Sequence, residues 1–357
     1  MPSQSRSWQG PPSSRGGDRP VQPAATGEDT AFEATLRPKA FPEFVGQRKL
    51  VENLQVYIAA AKKRSEPLDH VLLSGLPGLG KTTLAQIIAR ELGGNFIATS
   101  APALERARDL VGILTTLEKG DVFFVDEIHR LSAVVAEYLY AAMEDFAIDL
   151  VIDQGPNART VKINLPPFTM VGATTREGLL PAPFRSRFGI LEKLDAYPTE
   201  DLARILARSA GLLGMQAEPA ALALVAGRSR GTPRVAIRFL RRSRDVAQAR
   251  DLALIDSSVA EDGLRRLGVD ARGLDAMDRK ILETLVRQGG TPVGLKTIAV
   301  TVGEEEETIE EVYEPFLIRQ GFLAKTPRGR TATEAAFAHL GAKAPGTAIP
   351  LFDGGKP

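Results

Sequence analysis

The stretch HVLLSGLPGLGKTT, residues 70–83, decides the fold of this chain. Its beginning, HVLLSG, contains a short apolar run that is typical of a strand buried on both faces of a sheet. The loop after it matches the pattern G-x-x-x-x-G-K-S/T and has the strand-to-helix context that this pattern requires. Apolar side chains then recur at helical spacing, at Leu84, Ile87, Ile88 and Leu92. We therefore predict a phosphate-binding loop between a strand and a helix.

The residues of this loop suit the phosphate chain of a nucleotide. Glycines let the backbone curl, so that successive N–H groups and the helix N-terminus face the phosphates. The ammonium group of Lys81 would neutralise the outer phosphates, and the hydroxyl of Thr82 would hold Mg²⁺. A glycine turn with an accidental lysine is the alternative. The predicted nucleotide-binding residues of the loop are Gly75, Gly78, Gly80, Lys81, Thr82 and Thr83.

A second apolar strand, in DVFFVDEIHRL (residues 121–131), ends in two acids. Side chains alternate along a strand, so we expect Asp126 and Glu127 to leave it on opposite sides. Asp126 could then hold the metal ion while Glu127 takes a proton from the attacking water, because these tasks need carboxylates at different angles to the γ-phosphate. Acids that are merely solvated, or that cap a helix, are the alternative.

Further strand candidates alternate with helical stretches, at NFIATSA, FTMVGATT and ILEKL. This alternation predicts an α/β fold with a parallel sheet and helices on both of its faces. Thr174 ends one of these strands, and ligands gather at the carboxyl ends of strands in such sheets. Thr174 is therefore a candidate sensor of the γ-phosphate or of water, with a plain strand-end turn residue as the alternative.

Composition bounds the kind of protein. A chain of 357 residues, 43% hydrophobic and 25% charged, fits a soluble globular protein for which we expect three domains. The absence of cysteine excludes disulfides and thiolate chemistry, and the three scattered histidines argue against a histidine metal cluster. The sequence shows neither a signal peptide nor an apolar run long enough for a membrane helix, so we expect a cytoplasmic protein. A net charge of +1 leaves any nucleic-acid contact to a local patch.

In chain order, the motifs GLPGLGKTT, FFVDEIHRL, GATTR, RSRFG and RGTPR resemble those of AAA+ ATPases. The runs LRPKAFPEFVGQ, PPFTMVGATTR, VDARGLDAMDRKIL and TIEEVYEPFLIRQGFLAKTPRGR resemble more narrowly the RuvB family, from residue 33 to about 340. The resemblance implies a P-loop ATPase core, a small helical lid and a C-terminal winged-helix domain. It also implies ATP and Mg²⁺ as cofactors and a homo-hexameric ring that pulls duplex DNA to drive branch migration of Holliday junctions. Leu76 stands where the family usually has proline.

The resemblance also assigns roles to single residues. Arg187, in APFRSRFG, would be an arginine finger that reaches the γ-phosphate held by a neighbouring subunit, and Arg185 would support that interface. An ordinary surface salt-bridge pair is the alternative for these arginines. Arg234, in the first turn of the helix that RGTPR begins, would sense the γ-phosphate from the lid. The other nucleotide-binding residues that the resemblance implies are Leu36, Arg37, Glu144, Asp145, Phe146 and Tyr197.

From Asp275 the pattern becomes three helical segments and a glycine-turned hairpin, which predicts a winged helix. Residues 319–330 contain four basic residues and no acid, so the hairpin could straddle a phosphate backbone. The preceding run GEEEE suits a helix start and repels DNA, so we expect the hairpin to make the contact. A solvated hairpin or a protein-docking module is the alternative. The predicted DNA contacts are Lys325, Arg328 and Arg330.

The segment IDLVIDQGPNARTVKINLPPF indicates two alternating strands joined by a Gly-Pro-Asn turn. Val161 and Ile163, if exposed on this arm, would form an apolar patch, and the resemblance implies that the arm binds a RuvA-like junction-binding protein. Packing against the core is the alternative. A RuvC-like resolvase is a further partner that the resemblance allows.

These observations divide the chain into a disordered tail (1–30), a large ATPase domain (31–197), a helical lid (198–271), a winged-helix domain (272–341) and a flexible tail (342–357). Two other functions stay open. One is a clamp-loader-like switch, although the zinc-binding cysteines and collar domain usual in clamp loaders are missing here. The other is a nucleotide-gated transcriptional regulator whose winged helix reads DNA sequence.

Overall fold

The computed structural model describes residues 35–152 and 159–344. The predicted N-terminal tail, the Gly-Pro-Asn turn and most of the predicted C-terminal tail lie outside the described residues. The chain divides into two compact units, residues 1–37 and 38–357, of which the second is described below. Leu36 and Arg37 belong to the first unit, so their place in a purine pocket stays a prediction.

A parallel five-stranded sheet forms the centre of the ATPase core, as the alternation of strands and helices predicted. The described strands of this core are β1 (Val71–Ser74), β2 (Phe96–Ser100), β3 (Val122–Asp126), β4 (Ala147–Ile152), β5 (Arg159–Asn164), β6 (Thr169–Thr174) and β7 (Ile190–Lys193). The strand order of the sheet is β2-β3-β6-β1-β7, and each neighbouring pair is parallel. The register puts Ser74 opposite Thr174 and Asp126 opposite Ser100, which aligns the carboxyl ends of the strands.

Helices cover both faces of this sheet. Successive residues of β1 point to opposite sides, so that Val71 and Leu73 join one apolar cluster while Leu72 joins the other. Because neither face meets water, the central strands β1 and β6 are buried along their whole length. The helices of this core are α1 (Arg48–Arg64), α2 (Lys81–Leu92), α3 (Ala107–Leu114), α4 (Ala133–Asp145) and α5 (Ala182–Arg185).

Strands β4 and β5 form the antiparallel hairpin that the alternating pattern predicted. Leu150 pairs with Val161 and Ile148 pairs with Ile163 across it. Val161 is exposed, whereas Ile163 is half-buried and packs against the core. Of the two residues of the predicted apolar patch, Val161 is therefore available to a partner, whereas Ile163 already contributes to the core. Binding of a partner by this pair stays a prediction.

The lid is helical and packs on the same apolar cluster as one face of the sheet, with Leu202 and Leu206 among its buried residues. Pro233 begins a helix at its first position, as the RGTPR motif predicted. The lid consists of α6 (Thr199–Leu212), β8 (Gln216–Ala217), α7 (Pro219–Gly227), α8 (Pro233–Ala249), β9 (Leu254–Ile255) and α9 (Ser257–Arg266).

A winged helix with its own apolar core follows the lid. Its third helical segment is interrupted by a π-helical turn, Ile309–Tyr313. Pro315 lies just beyond that turn and lacks the N–H that a regular helix would bond, which accounts for the irregular stretch. The other elements are α10 (Ala276–Arg287), α11 (Leu295–Val302), α12 (Glu306–Thr308), α13 (Glu314–Arg319), the hairpin β10 (Leu323–Thr326) and β11 (Gly329–Ala332), and α14 (Glu334–His339).

A buried ion cluster joins the winged helix to the lid. The guanidinium of Arg230, between α7 and α8, lies 2.5 Å from a carboxylate oxygen of each of Asp275 and Asp278. Its carbon also lies 4.9 Å from the ring centre of Phe316. Asp278 is fully buried, and burial raises its pKa to about 7 although Arg230 acts in the opposite direction. This arginine therefore ties the first helix of the winged domain to the loop that precedes α8.

Candidate nucleotide site

The ammonium group of Lys81 is hydrogen-bonded to the backbone of the phosphate-binding loop. Lys81 is buried at the start of α2, where its Nζ donates hydrogen bonds to the carbonyl oxygens of Gly75 (2.7 Å) and Leu76 (3.1 Å). Burial lowers the pKa of Lys81, although the nearby carboxylates of Glu127 and Asp126 oppose that shift. Thr82 and Thr83 follow in the first helical turn, with Thr82 half-buried. The loop therefore holds a desolvated cation and a hydroxyl at a helix N-terminus, which is a suitable arrangement for an anion.

The lid touches this loop directly. Gly78 has a φ of +80°, and a Cβ built on it would lie 2.8 Å from the Cβ of Arg234. The backbone N–H of Arg234 also points at the carbonyl oxygen of Gly78, at 3.4 Å. Tyr197, at the start of the lid, donates a hydrogen bond from its hydroxyl to the carbonyl oxygen of Leu79 (3.2 Å). The structure thus brings two predicted nucleotide-binding residues to the loop: Tyr197, which ends the predicted ATPase domain, and Arg234 of the lid.

The two predicted acids lie beside the loop, but their geometry differs from simple alternation. Asp126 is the last residue of β3, and its Oδ1 accepts a hydrogen bond from the backbone N–H of Glu127 at 3.0 Å. Glu127 already lies beyond the strand, with a left-handed φ of 49°. Such a conformation is uncommon for a residue other than glycine, and it is often found at functional sites. A backbone reversal, rather than strand alternation, separates the two carboxylates.

The neighbouring threonines divide their contacts. Thr174, the predicted sensor, is fully buried, and its Oγ1 accepts a hydrogen bond from the N–H of Arg176 (3.0 Å) and lies 2.9 Å from Nδ1 of His129. Burial lowers the pKa of His129 and so favours its neutral ring, whose tautomer decides which partner donates in the contact with Thr174. Thr175 instead donates from Oγ1 to Oε2 of Glu127 at 3.2 Å.

Thr175 is the residue that sequence reasoning missed. Its hydroxyl contacts the predicted general base, whereas Thr174 can reach that base only through His129, whose Nδ1 lies 3.4 Å from Glu127. The doubled threonine in GATTR was the available signal, because two consecutive hydroxyl residues at the end of a strand can point in different directions. A sensor role for Thr174 stays a prediction.

The arginines of APFRSRFG alternate with two buried rings. Phe184 and Phe188 pack edge to face in the core, with ring centres 5.5 Å apart. Between them, Arg187 forms an ion pair with Glu144 and lies over the ring of Tyr140, at 5.4 Å. Arg185 lies 3.9 Å from Glu177 and is more exposed than Arg187. These contacts keep Arg187 at the end of α4, near the edge strand β7.

The predicted nucleotide contacts at the end of α4 face this arginine and the core. Glu144 binds Arg187, and Phe146 packs against the rings of His70 and Phe168. Asp145 ends the helix and is exposed. A role of Glu144, Asp145 and Phe146 in nucleotide binding stays a prediction.

The predicted DNA-binding cations lie on the hairpin of the winged helix. Arg328 is exposed at its tip. Lys325 is instead bound to Glu310 (2.9 Å) and to Glu314 (3.1 Å). Arg330 is largely buried and is bound to the same two acids. The sequence did not predict that two of the three cations already have carboxylate partners.

A separate property concerns membranes: among the described residues, none of the helices has both the length and the apolar character needed to span one.

Comparison with known proteins covers almost all of this architecture. The model for the Holliday junction DNA helicase RuvB P-loop domain matches residues 36–194, the RuvB AAA lid domain matches residues 197–270, and the RuvB C-terminal winged helix domain matches residues 271–341.

Individual proteins agree with these matches. The chain is 55% identical, over 90% of its length and 94% of the relative, to the Holliday junction branch migration complex subunit RuvB of Chlorobium phaeobacteroides. It is 56% identical to the corresponding subunit of Salinibacter ruber, over 91% of this chain and 95% of that one. A solved Thermotoga maritima RuvB structure, a Holliday junction branch migration motor, superimposes with a TM-score of 0.81 at 49% identity and covers 87% of this chain and all of its own.

Proposed function

The chain belongs to the RuvB family, and on that premise we propose how its residues perform ATP-driven branch migration of Holliday junctions. The protein is an ATPase that acts as a branch migration motor. One observation carries the assignment of its parts: the phosphate loop, the Asp126–Glu127 pair and Thr175 meet at one edge of the sheet, in a chain that also carries a winged helix.

Lys81 and the glycine loop bind the phosphates of ATP in this proposal. The residues also fit Mg²⁺, because the hydroxyl of Thr82 and the carboxylate of Asp126 are the hard oxygen ligands that this ion prefers. When bound, the ion would neutralise charge on the phosphate oxygens. Tyr197 takes part in the nucleotide pocket, and Arg234 reports the state of the γ-phosphate to the lid. The contact of Arg234 with Gly78 supports that role, since it links the lid to the loop itself.

Glu127 acts as the general base toward the attacking water. A base must be fixed within reach of the proton that it removes, and Thr175 supplies a hydrogen bond that orients the carboxylate. The left-handed backbone of Glu127 gives its side chain a different direction from that of a residue that continues the strand. Thr174 supports this arrangement indirectly, through its contacts with His129 and with the N–H of Arg176.

Arg187 acts across the interface of a homo-hexameric ring in this proposal, with Arg185 supporting the contact. Its location beside the edge strand β7, in an ion pair with the exposed Glu144, supports a function outside its own subunit. A trans-acting arginine can raise turnover by about 10³- to 10⁵-fold, because it stabilises charge only when two subunits meet. Glu144 would hold the arginine until the neighbour's phosphate replaces it, which also gives Glu144 a place at the interface.

The winged helix makes the DNA contact, with Arg328 at the hairpin tip and Lys325 and Arg330 behind it. The relatives are subunits of a complex, and the exposed Val161 supports a site for a RuvA-like junction-binding protein on the β4–β5 hairpin. A RuvC-like resolvase would act on the junction that this assembly holds.

The test is a four-way junction assay with the junction-binding partner, combined with ATP hydrolysis. We expect Arg187→Ala and Lys81→Ala each to abolish hydrolysis and migration. A one-to-one mixture of the two variants should recover part of the hydrolysis, because about a quarter of the interfaces in a random ring pair an intact loop with an intact arginine. If the mixture stays inactive while both variants assemble, Arg187 does not act in trans.

A further inference from the structure

The loop that follows Thr175 is tied to the winged helix by a dense set of charges. Arg176 places its Nε 2.6 Å from Oε1 of Glu311, and its Nη2 donates to Oε2 of Glu310 at 3.4 Å. Glu307 lies 3.8 Å from the same guanidinium. Three quarters of the arginine side chain is buried, so these ion pairs are screened less than those of a free surface.

This charge set borders the nucleotide site. A cavity of about 330 Å³ is lined by Leu76 of the phosphate loop, by Thr175 and Arg176, and by Glu310 and Glu311 of the π-helical turn. The backbone N–H of Arg176 also binds the hydroxyl of Thr174. A shift of Arg176 therefore moves the backbone that carries Thr175, and with it the hydrogen bond to Glu127.

Glu310 has a second set of partners on its other side. Its Oε1 lies 2.9 Å from Nζ of Lys325 and 3.2 Å from Nη2 of Arg330, while its Oε2 faces Arg176. Glu314 binds the same two hairpin cations and is almost fully buried. Lys325 and Arg330 thus have carboxylates where DNA phosphates would otherwise be.

We propose that Glu310 and Glu314 hold the hairpin cations in place of DNA phosphates, and that Arg176 transmits the release of Glu310 to the ATPase site. When duplex DNA takes Lys325 and Arg330, Glu310 loses two cations and pairs with Arg176 alone. The strengthened pair pulls on the loop after Thr175 and so changes the orientation of Glu127. The inference rests on the proposed function, because it explains how a DNA motor links DNA binding to hydrolysis.

The relay from the hairpin through Glu310 to Arg176 predicts that removing the charge of Glu310 and removing the charge of Arg176 have opposite effects on DNA binding. In Glu310→Gln, Lys325 and Arg330 are freed from one carboxylate, so the full chain should bind duplex DNA about two- to fivefold more tightly. In Arg176→Ala, Glu310 pairs more strongly with the hairpin, so binding should weaken by about the same factor. Both variants should lose the stimulation of ATP hydrolysis by DNA, because each one interrupts the connection.

The experiment measures duplex binding by fluorescence anisotropy at fixed salt, and ATP hydrolysis with and without the duplex. Glu334→Gln is the matched control, since it removes one exposed negative charge from the same domain outside this charge set. It should match the wild type in both measurements. Arg176→Lys, which keeps the charge but not the forked geometry, should recover part of the stimulation.

Three outcomes would overturn the relay. One is a Glu310→Gln variant with wild-type affinity and wild-type stimulation. Another is a change of DNA affinity in the same direction for Glu310→Gln and Arg176→Ala. The third is an equal gain of affinity in Glu334→Gln, which would reduce the effect to overall charge. If the wild type itself neither migrates junctions nor responds to DNA, the proposed function fails instead. In that case the opposite shifts of DNA affinity alone decide whether Glu310 holds the hairpin cations.

Discussion

Valine at Thr174 and valine at Thr175 should damage the protein in different ways. Thr174 is fully buried and uses its hydroxyl twice, with the N–H of Arg176 and with Nδ1 of His129. Valine keeps the shape and leaves both partners without that hydroxyl. The Nε2 atom of His129 already has no hydrogen-bond partner among the described residues, so its ring has little compensation.

The magnitudes follow from these hydrogen bonds. Each buried polar group left unpaired costs about 1–3 kcal/mol, so Thr174→Val, which leaves two partners unpaired, should lose about 2–6 kcal/mol of unfolding free energy. For a domain of this size the melting temperature should then fall by about 4–24 °C. Thr175 is only half-buried, and its single hydrogen bond to a charged carboxylate is worth about 1.5–3 kcal/mol. If that bond orients Glu127 in the transition state, Thr175→Val should slow hydrolysis by about ten- to one-hundredfold. The melting temperature should fall less than in Thr174→Val, because water can replace the hydroxyl at this half-buried carboxylate.

The assay is thermal unfolding followed by circular dichroism, together with ATP hydrolysis well below the melting temperature. Circular dichroism is preferable to fluorescence, because the single tryptophan, Trp8, lies outside the described residues. The division of roles is wrong if Thr174→Val melts like the wild type but hydrolyses slowly, and Thr175→Val is fully active. That result would make Thr174 the direct sensor, as the sequence first suggested.

Two further predictions follow from the lid and from the joint beyond it. Gly78→Ala should weaken ATP binding about tenfold beyond the effect of Gly93→Ala, measured with a fluorescent nucleotide, because both glycines have φ near +80° but only the first would meet Arg234. Equal affinities would contradict a lid contact at this loop. The raised pKa of Asp278, about 7, means that the wild type loses stability from this group as pH rises from about 4 to about 7. The melting temperature of Asp278→Asn relative to the wild type should therefore increase between pH 5 and pH 8, and a constant difference would refute the shift.

Local rules predicted the sheet, the loop and the winged helix because each depends on short-range patterns. The apolar run before Gly75, the helical spacing after it and the position of Pro233 are all properties of neighbouring residues. The structure agrees with them. The RuvB family matches extend this agreement to the whole arrangement of core, lid and winged domain.

The details of the site depend on pairs that are distant in the chain, and there sequence reasoning fell short. The paired residues Arg176 and Glu310 are 134 positions apart in the chain, and the paired residues Arg187 and Glu144 are 43 positions apart. Whether Thr174 or Thr175 faces Glu127 depends on a left-handed residue just past a strand, which periodicity does not detect. An acidic run that suits a helix start can also neutralise a hairpin, and only the packing of the two elements decides which cations it binds.

The ion cluster around Arg230 has a mechanical consequence. Removing one partner from a buried ion pair typically costs about 3–5 kcal/mol. The joint formed by Arg230 with Asp275 and Asp278 should therefore stay closed at thermal energies. Arg230 lies four residues before Arg234, in the loop that precedes α8, and Arg234 is close to the loop that would hold the nucleotide. If α8 tilted by a few degrees, the hairpin tip would move by a distance proportional to its separation from this joint. In the proposed function, a stiff lever of this kind would convert a small rearrangement at the phosphate loop into a displacement of the hairpin that is proposed to contact DNA.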